Sequence, residues 1–260
     1  MRLALTVLLA IAVTASGWAD EPAIKWSFDG PASGFATDGE PRFVELAGAS
    51  GAALRLGVEA GDATFLTAER GPELTLGPSY AIEAWIHPTQ VGAWNRLVLS
   101  WDAEQAYHLA LHGGQASLYH GQADGTLAFA EGGMASPGRW VHLAGVADAE
   151  ARLLSVYLNG RRVGRSEFDG TILEKQAARV GIGDAAERVS PDIRFQGYID
   201  DLAVWHRPLT DDEIRSHYDE RAETIETLAR EQRQEMAQRL HDADVETVIF
   251  AERNPGRDPS

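Results

Sequence analysis

The chain contains no cysteine. Disulfides therefore cannot hold it together, a thioether-linked lipid cannot anchor it, and its stability must come from a packed core. It also lacks an apolar run long enough to cross a bilayer. The stretch from Leu3 to Ala15 is interrupted by Thr6 and Thr14 and falls short of the ~20 apolar residues that a membrane-spanning helix needs. Basic residues are scarce: 23 Lys and Arg stand against 39 Asp and Glu, a formal net charge of −16. Such a field repels nucleic acid and anionic lipid and draws divalent cations. An acidic polysaccharide would need a local basic patch. The small cluster Arg161, Arg162 and Arg165 lies on a hairpin, where solvated turn charges are the plainer reading. The sequence has no Gly-x-Ser-x-Gly, no His-Glu-x-x-His and no phosphate-binding loop, and its glycines sit at turns.

What is present begins with a leader. Arg2 supplies a positive start, Leu3 to Ala15 an apolar centre, and Gly17-Trp18-Ala19 the small residues that a signal peptidase reads. Residues 1–19 are expected to be a signal peptide cleaved after Ala19. The remainder is then secreted, periplasmic or held at the cell surface. About 190 residues follow before the first long helical segment, enough for one all-β domain with its own core.

The texture from Ile24 to Trp205 is that of short strands punctuated by Gly, Asp and Pro. Tyr80, Ile82, Ala84 and Ile86 alternate onto one face, which predicts a half-buried strand ending at Pro88. Tyr107 to His112 and Gln115 to Tyr119 flank Gly113-Gly114 and predict a hairpin. Leu153 to Leu158 and Arg161 to Arg165 flank Asn159-Gly160, a pair suited to the positive φ of a type I′ turn. Roughly a dozen strands without intervening helices imply a β-sandwich or barrel.

The pattern changes after Pro208. Thr210-Asp211-Asp212-Glu213 fits a capping box, with its acids at the positive end of a helix dipole. Helical texture runs to about Asp242. Ile214, Tyr218, Ile225, Leu228, Met236 and Leu240 form a thin apolar stripe among charges. The first turns are expected to pack on the sandwich, and the rest to be solvated or to meet a partner. The chain closes with a strand-like run, Val245 to Phe250, and a polar tail. That run fits an added edge strand or the opening of a further module. The expected organisation is thus a signal peptide (1–19), a β-sandwich (20–219), a charged helical extension (220–244), and a strand-like segment with a disordered tail (245–260).

Three pieces resemble a known family in the same order. They are Tyr80-Ala-Ile-Glu-Ala-Trp-Ile-His-Pro88, then Trp140-Val-His-Leu-Ala-Gly-Val146 with Leu154-Ser-Val-Tyr-Leu-Asn-Gly160, and finally Gly197-Tyr-Ile-Asp-Asp-Leu-Ala-Val-Trp-His-Arg-Pro-Leu-Thr-Asp-Asp-Glu-Ile214. Together they resemble laminin G-like jelly-roll domains of the concanavalin A-like lectin and glucanase superfamily, over residues 24 to 219. The resemblance implies a two-sheet antiparallel jelly roll followed by a helix. It leaves activity open, because this fold hosts lectins, glycosidases, adhesion modules and spacers. A loop near the N-terminus that often helps hold structural calcium in the family is reduced here to Asp38-Gly39.

Asp200 and Asp201, with Asp38, are the candidates for that calcium, which takes six to eight oxygens. Adjacent strand residues point to opposite faces, so only one of the aspartate pair is expected to face a single site. Asp200 shares a face with Leu202 and Val204, and Asp201 with Ile199 and Trp205. The alternative is that Asp200 accepts hydrogen bonds from a neighbouring loop. A glucanase of this superfamily would carry its catalytic carboxylates on one strand, as Glu-x-Asp-x-x-Glu, and no such strand is found; Glu83 stands alone in its strand. His108 and His112 share a strand face but are about 13 Å apart by strand rise, too far for one metal, and are expected to be solvated. Trp94, Trp101, Tyr107 and Tyr119 cluster in the sequence and make the candidate glycan surface, the alternative being rings packed between sheets. The function expected is a non-catalytic recognition module for a glycan or an extracellular protein. A divergent glycoside hydrolase and a structural spacer are the alternatives.

Overall fold

The computed structural model describes residues 21–30, 35–38, 41–45, 51–58, 64–101, 105–184 and 194–242. The expected signal peptide and the strand-like run at Val245 to Phe250 lie outside them. The first strands are β1 (Ile24–Trp26), β2 (Phe35–Asp38), β3 (Arg42–Glu45), β4 (Ala52–Leu56) and β5 (Phe65–Glu69). The middle of the chain forms β6 (Tyr80–Pro88), β7 (Trp94–Trp101), β8 (Gln105–His112), β9 (Gln115–Gly121) and β10 (Leu127–Gly132). β11 (Val141–Asp148), β12 (Leu153–Leu158), β13 (Arg161–Glu167), β14 (Arg179–Ile182) and β15 (Gly197–Trp205) complete the strands, and α1 (Asp211–Asp242) follows.

These strands form two antiparallel sheets. One has eight strands, in the order β13-β12-β11-β6-β15-β4-β3, with β1 also on β15. The other has seven, in the order β10-β9-β8-β7-β14-β5-β2. This is the two-sheet sandwich with a following helix that the sequence predicts. β15 pairs with β6, β4 and β1, so the closing motif is an interior strand of its sheet.

The core lies between the inner faces. Tyr80, Ile82, Ala84 and Ile86 of β6 enter it together, opposite residues such as Leu109, Leu111 and Leu118 of the seven-stranded sheet. The period-2 pattern of β6 therefore reads directly as burial. Turn chemistry also follows the sequence: Asn159 and Gly160 take φ of 50° and 69°, as a type I′ turn requires. At one border of the sandwich, β10 and β13 nearly touch. A Cβ at Gly164 would lie 2.2 Å from the Glu131 carbonyl oxygen, and one at Gly132 would lie 2.0 Å from that of Val163. Only glycine fits at these two crossings.

The capping box forms as expected. Thr210 Oγ1 accepts from the Glu213 N–H at 3.2 Å, and Glu213 Oε2 accepts from the Thr210 N–H at 2.8 Å. α1 continues unbroken for 32 residues, about 48 Å, so it runs straight through the expected border at residue 219. Ile214 and Ile225 are buried. The first four turns thus pack on the outer face of the eight-stranded sheet, where Ala81, Ala144, Val146, Tyr157, Trp205, Leu209 and Ile214 make a second, smaller core.

Candidate functional site

The outer face of the seven-stranded sheet carries an aromatic strip across four adjacent strands. Trp94 of β7 stacks on His112 of β8, with ring centroids 4.1 Å apart and planes 15° apart. Trp94 also leans on Tyr119 of β9 at 5.2 Å, and Tyr119 stacks on Phe129 of β10 at 5.2 Å. Strand register creates this row: Trp94 stands opposite His112 and Tyr119 opposite Phe129. Their neighbours along each strand, Leu109, Leu111, Leu118 and Ala130, face the core. The strip reaches water. Phe129 is 50% exposed, and Leu127 and Met134 beside that border are also exposed.

Polar groups line the same face. Glu131 of β10 accepts hydrogen bonds from His112 Nδ1, Tyr119 OH and Ser117 Oγ. Burial pushes the Glu131 carboxyl upward, but these three donors outweigh it and hold it below the usual glutamate range. Partial burial and then Glu131 itself keep the Tyr119 phenol protonated well above its ordinary range. His108 lies beneath the strip, stacked by Trp94 at 5.6 Å. It is buried, not solvated as the sequence predicts, and burial together with Arg96 depresses it to about 3.

Of the expected glycan residues, Trp94 and Tyr119 come together here. Tyr107 does not: it points into the core, donates its hydroxyl to the Leu74 carbonyl at 3.0 Å and packs against Tyr80. It shares the strand parity of Leu109 and Leu111, so alternation places it inside. Trp101 ends β7, and its side chain lies outside the described residues. Phe129 and Glu131 are functional candidates that the sequence reading misses, because the segment Leu127–Gly132 carries no clear alternation of its own.

The other outer face is covered. Beneath α1, Glu83 of β6 accepts from Trp205 Nε1 at 3.2 Å and lies 3.0 Å from His217 Nδ1, with His142 Nε2 at 3.5 Å. Burial raises the Glu83 carboxyl, but hydrogen bonds from His142 and His217 dominate and lower it to about 2. The hydrogen bond to Glu83 raises His217 in turn. Tyr218 stacks on Trp85, His217 stacks on Trp205, and the Arg221 guanidinium lies over Trp85. A cleft of about 410 Å³ remains between helix and sheet, lined by Trp85, Trp205, Glu83, Asp201 and Arg221 among others.

Asp200 and Asp201 both reach this face, against the strict alternation expected of them. The register of β15 on β6 shifts between Asp200 and Ala203, and Asp201 adopts φ 45°. This bulge inserts one residue, so two successive side chains point the same way. Both carboxylates pair with Arg221, and Asp201 also lies 3.4 Å from Lys25 Nζ. The donor set does not fit calcium as it stands, since a divalent ion would have to displace a guanidinium and an ammonium. Among the described residues no three metal-ligating side chains gather. Asp38 belongs to β2, and its side chain lies outside the described residues.

Comparison with known families matches residues 59–215 to the laminin G-like model of the concanavalin A-like lectin/glucanases superfamily. The chain belongs to this superfamily. Solved structures with the same fold include the binding domain of Paraclostridial Mosquitocidal Protein 1, with 12% identity, a TM-score of 0.58, and coverage of 71% of this chain and 46% of that one. The botulinum neurotoxin serotype G binding domain matches with 11% identity, a TM-score of 0.58, and coverage of 76% and 50%. The binding domain of botulinum neurotoxin DC, solved in complex with SialylT, matches with 10% identity, a TM-score of 0.56, and coverage of 72% and 46%. At these identities the likeness is one of fold, and this laminin G-like chain spans about half the length of the solved chains it matches. No curated protein matches it.

Proposed function

We propose that the protein is an extracellular recognition module that binds a saccharide on the outer face of its seven-stranded sheet. The observation that carries this reading is the contiguous row of Trp94, Tyr119 and Phe129, in which Tyr119 leans on Trp94 and stacks on Phe129, and Phe129 is open to water. An exposed, pre-stacked aromatic row offers apolar sugar faces a rigid platform. Neighbouring polar groups then supply direction. Two fold neighbours lend the reading support at the level of architecture: one is solved with SialylT, and another concerns toxin entry dependent on two ganglioside molecules. Leu127, Phe129 and Met134, each exposed along β10 or just past its end, support a protein partner as the second reading.

Hydrolysis is a weaker reading on chemical grounds. A glycosidase needs a carboxylic acid held protonated near neutral pH. Among the described residues, every carboxyl with a resolved shift is moved downward: Glu83, Asp124, Glu131, Asp211 and Glu213. The test is a glycan array probed with the wild-type chain and with Trp94→Ala and Phe129→Ala. Binding by the wild type that both variants lose supports a saccharide site on this face. Array silence together with capture of a protein partner by the same face would replace the first reading with the second.

A further inference from the structure

Within the aromatic strip, one oxygen gathers three donors. Glu131 Oε1 accepts from His112 Nδ1 at 2.8 Å, Tyr119 OH at 2.9 Å and Ser117 Oγ at 3.0 Å. All three lie on the outer face of β8 and β9, and Glu131 stands directly opposite Ser117. The Glu131 side chain is about one-fifth exposed. Its position along β10 is also fixed from behind, because its own carbonyl oxygen meets Gly164 of β13 at a distance that no side chain allows. The carboxylate is therefore held in one orientation and loses little freedom when a ligand arrives.

The second carboxylate oxygen, Oε2, receives no hydrogen bond from the described residues. It sits on an ionised group beside stacked rings. Three donors on one oxygen leave the other as a directed acceptor. Arg96, on the strand that carries Trp94, pairs with buried Asp184 at 2.9 Å, and Arg194 shares that carboxylate at 3.5 Å. Glu131 is the carboxylate at the polar end of the strip, within a protein whose overall charge is −16.

We infer that Glu131 is the specificity-determining residue of this face, and that the ligand is a neutral or amino saccharide, with anionic sugars rejected. The inference rests on the proposed saccharide reading and narrows it to a substrate class. A sugar stacks its apolar side on Phe129 and Tyr119 and donates hydroxyl or ammonium hydrogens to Glu131 Oε2. A sialic acid, uronate or sulfate in the same place brings a second anion against a carboxylate that three hydrogen bonds keep ionised. Hydrogen bonds to a charged acceptor are worth roughly ten- to a hundredfold in affinity.

The experiment uses the full chain on an array of matched saccharide pairs, each neutral member beside its sialylated or sulfated form, with Glu131→Gln, Glu131→Ala and Tyr119→Phe alongside. The wild type is expected to prefer neutral and amino members at least tenfold. Glu131→Gln keeps shape and an acceptor but removes charge, so the neutral-to-acidic ratio should fall about tenfold. Glu131→Ala should lose most neutral binding, and Tyr119→Phe should lose less. Neutral binding should hold through the ordinary glutamate range and fade only in stronger acid, as the carboxylate held by its three donors protonates. Acidic members bound as well as neutral ones, or a ratio unchanged in Glu131→Gln, would overturn the inference while leaving the saccharide site standing. An array silent for every member, or Trp94→Ala binding like wild type, would overturn the saccharide reading itself and the inference with it.

Discussion

The two sheets use the same side chains outward and reach opposite results. On the eight-stranded sheet, Glu83 accepts from Trp205 and His217 while rings stack around it. On the seven-stranded sheet, Glu131 accepts from Tyr119 and His112 while rings stack around it. The difference is cover. Trp85 and Trp205 are 4% and 5% exposed beneath α1, whereas Phe129 is 50% exposed. An acid, a histidine and aromatics grouped on a sheet are thus not a site in themselves. Where the chain supplies its own helix they become a clasp, and where none of the described residues covers them they become a candidate platform.

The comparison breaks most visibly if the clasp is removed. Trp205→Ala should cost about 3–5 kcal/mol of stability, as large-to-small changes in buried aromatics do, measured by denaturant unfolding. Arg221→Met should cost a similar ~3–5 kcal/mol, because it removes the guanidinium that pairs with the buried Asp200 carboxylate. On the open face the effect reverses in kind. Phe129→Ala should change stability by no more than about 1 kcal/mol while removing array binding.

Protonation sharpens the same contrast. His217 is raised by Glu83, with Glu213 and Glu220 of its own helix adding to that. Its contribution is therefore complete below the ordinary histidine value and is lost as pH rises through the raised one. Protection against hydrogen exchange in the first turns of α1, corrected for the intrinsic rate at each pH, should fall on going from about pH 6 to pH 8 or above. Glu83, lowered to about 2, should hold its part of the clasp above the ordinary glutamate range and lose it only toward strong acid. Protection factors in β9 and β10 should stay unchanged over the alkaline step. The smallest effect is expected at the helix start, where Thr210→Ala should cost about 1 kcal/mol.

Much of this architecture was legible in local sequence. The alternation at Tyr80 to Ile86, the Asn159-Gly160 turn and the Thr210 to Glu213 box each encode their own geometry, and each formed. Asp200 and Asp201 were harder. Ile199 and Leu202 both face the core although three residues apart, which strict alternation forbids. That conflict of parity was the available signal for the bulge. Tyr107 was misplaced for the opposite reason, since the parity it shares with Leu109 and Leu111 already assigned it to the core. Phe129 and Glu131 escaped because what marks them is their register against Tyr119 and Ser117 on β9. No local pattern states which sheet the helix will cover, since that depends on contacts such as Glu83 with His217, far apart in sequence.

The central claim is that the uncovered strip binds and the covered one holds. It is tested most directly by probing one glycan array with wild type, Trp94→Ala and Arg221→Met, with the unfolding midpoint of each recorded beside it. Trp94→Ala is expected to keep its midpoint within a few degrees and to lose binding. Arg221→Met is expected to lower its midpoint and, while still folded, to keep binding. Binding retained by Trp94→Ala and lost by folded Arg221→Met would contradict the claim and move the site to the cleft beneath the helix.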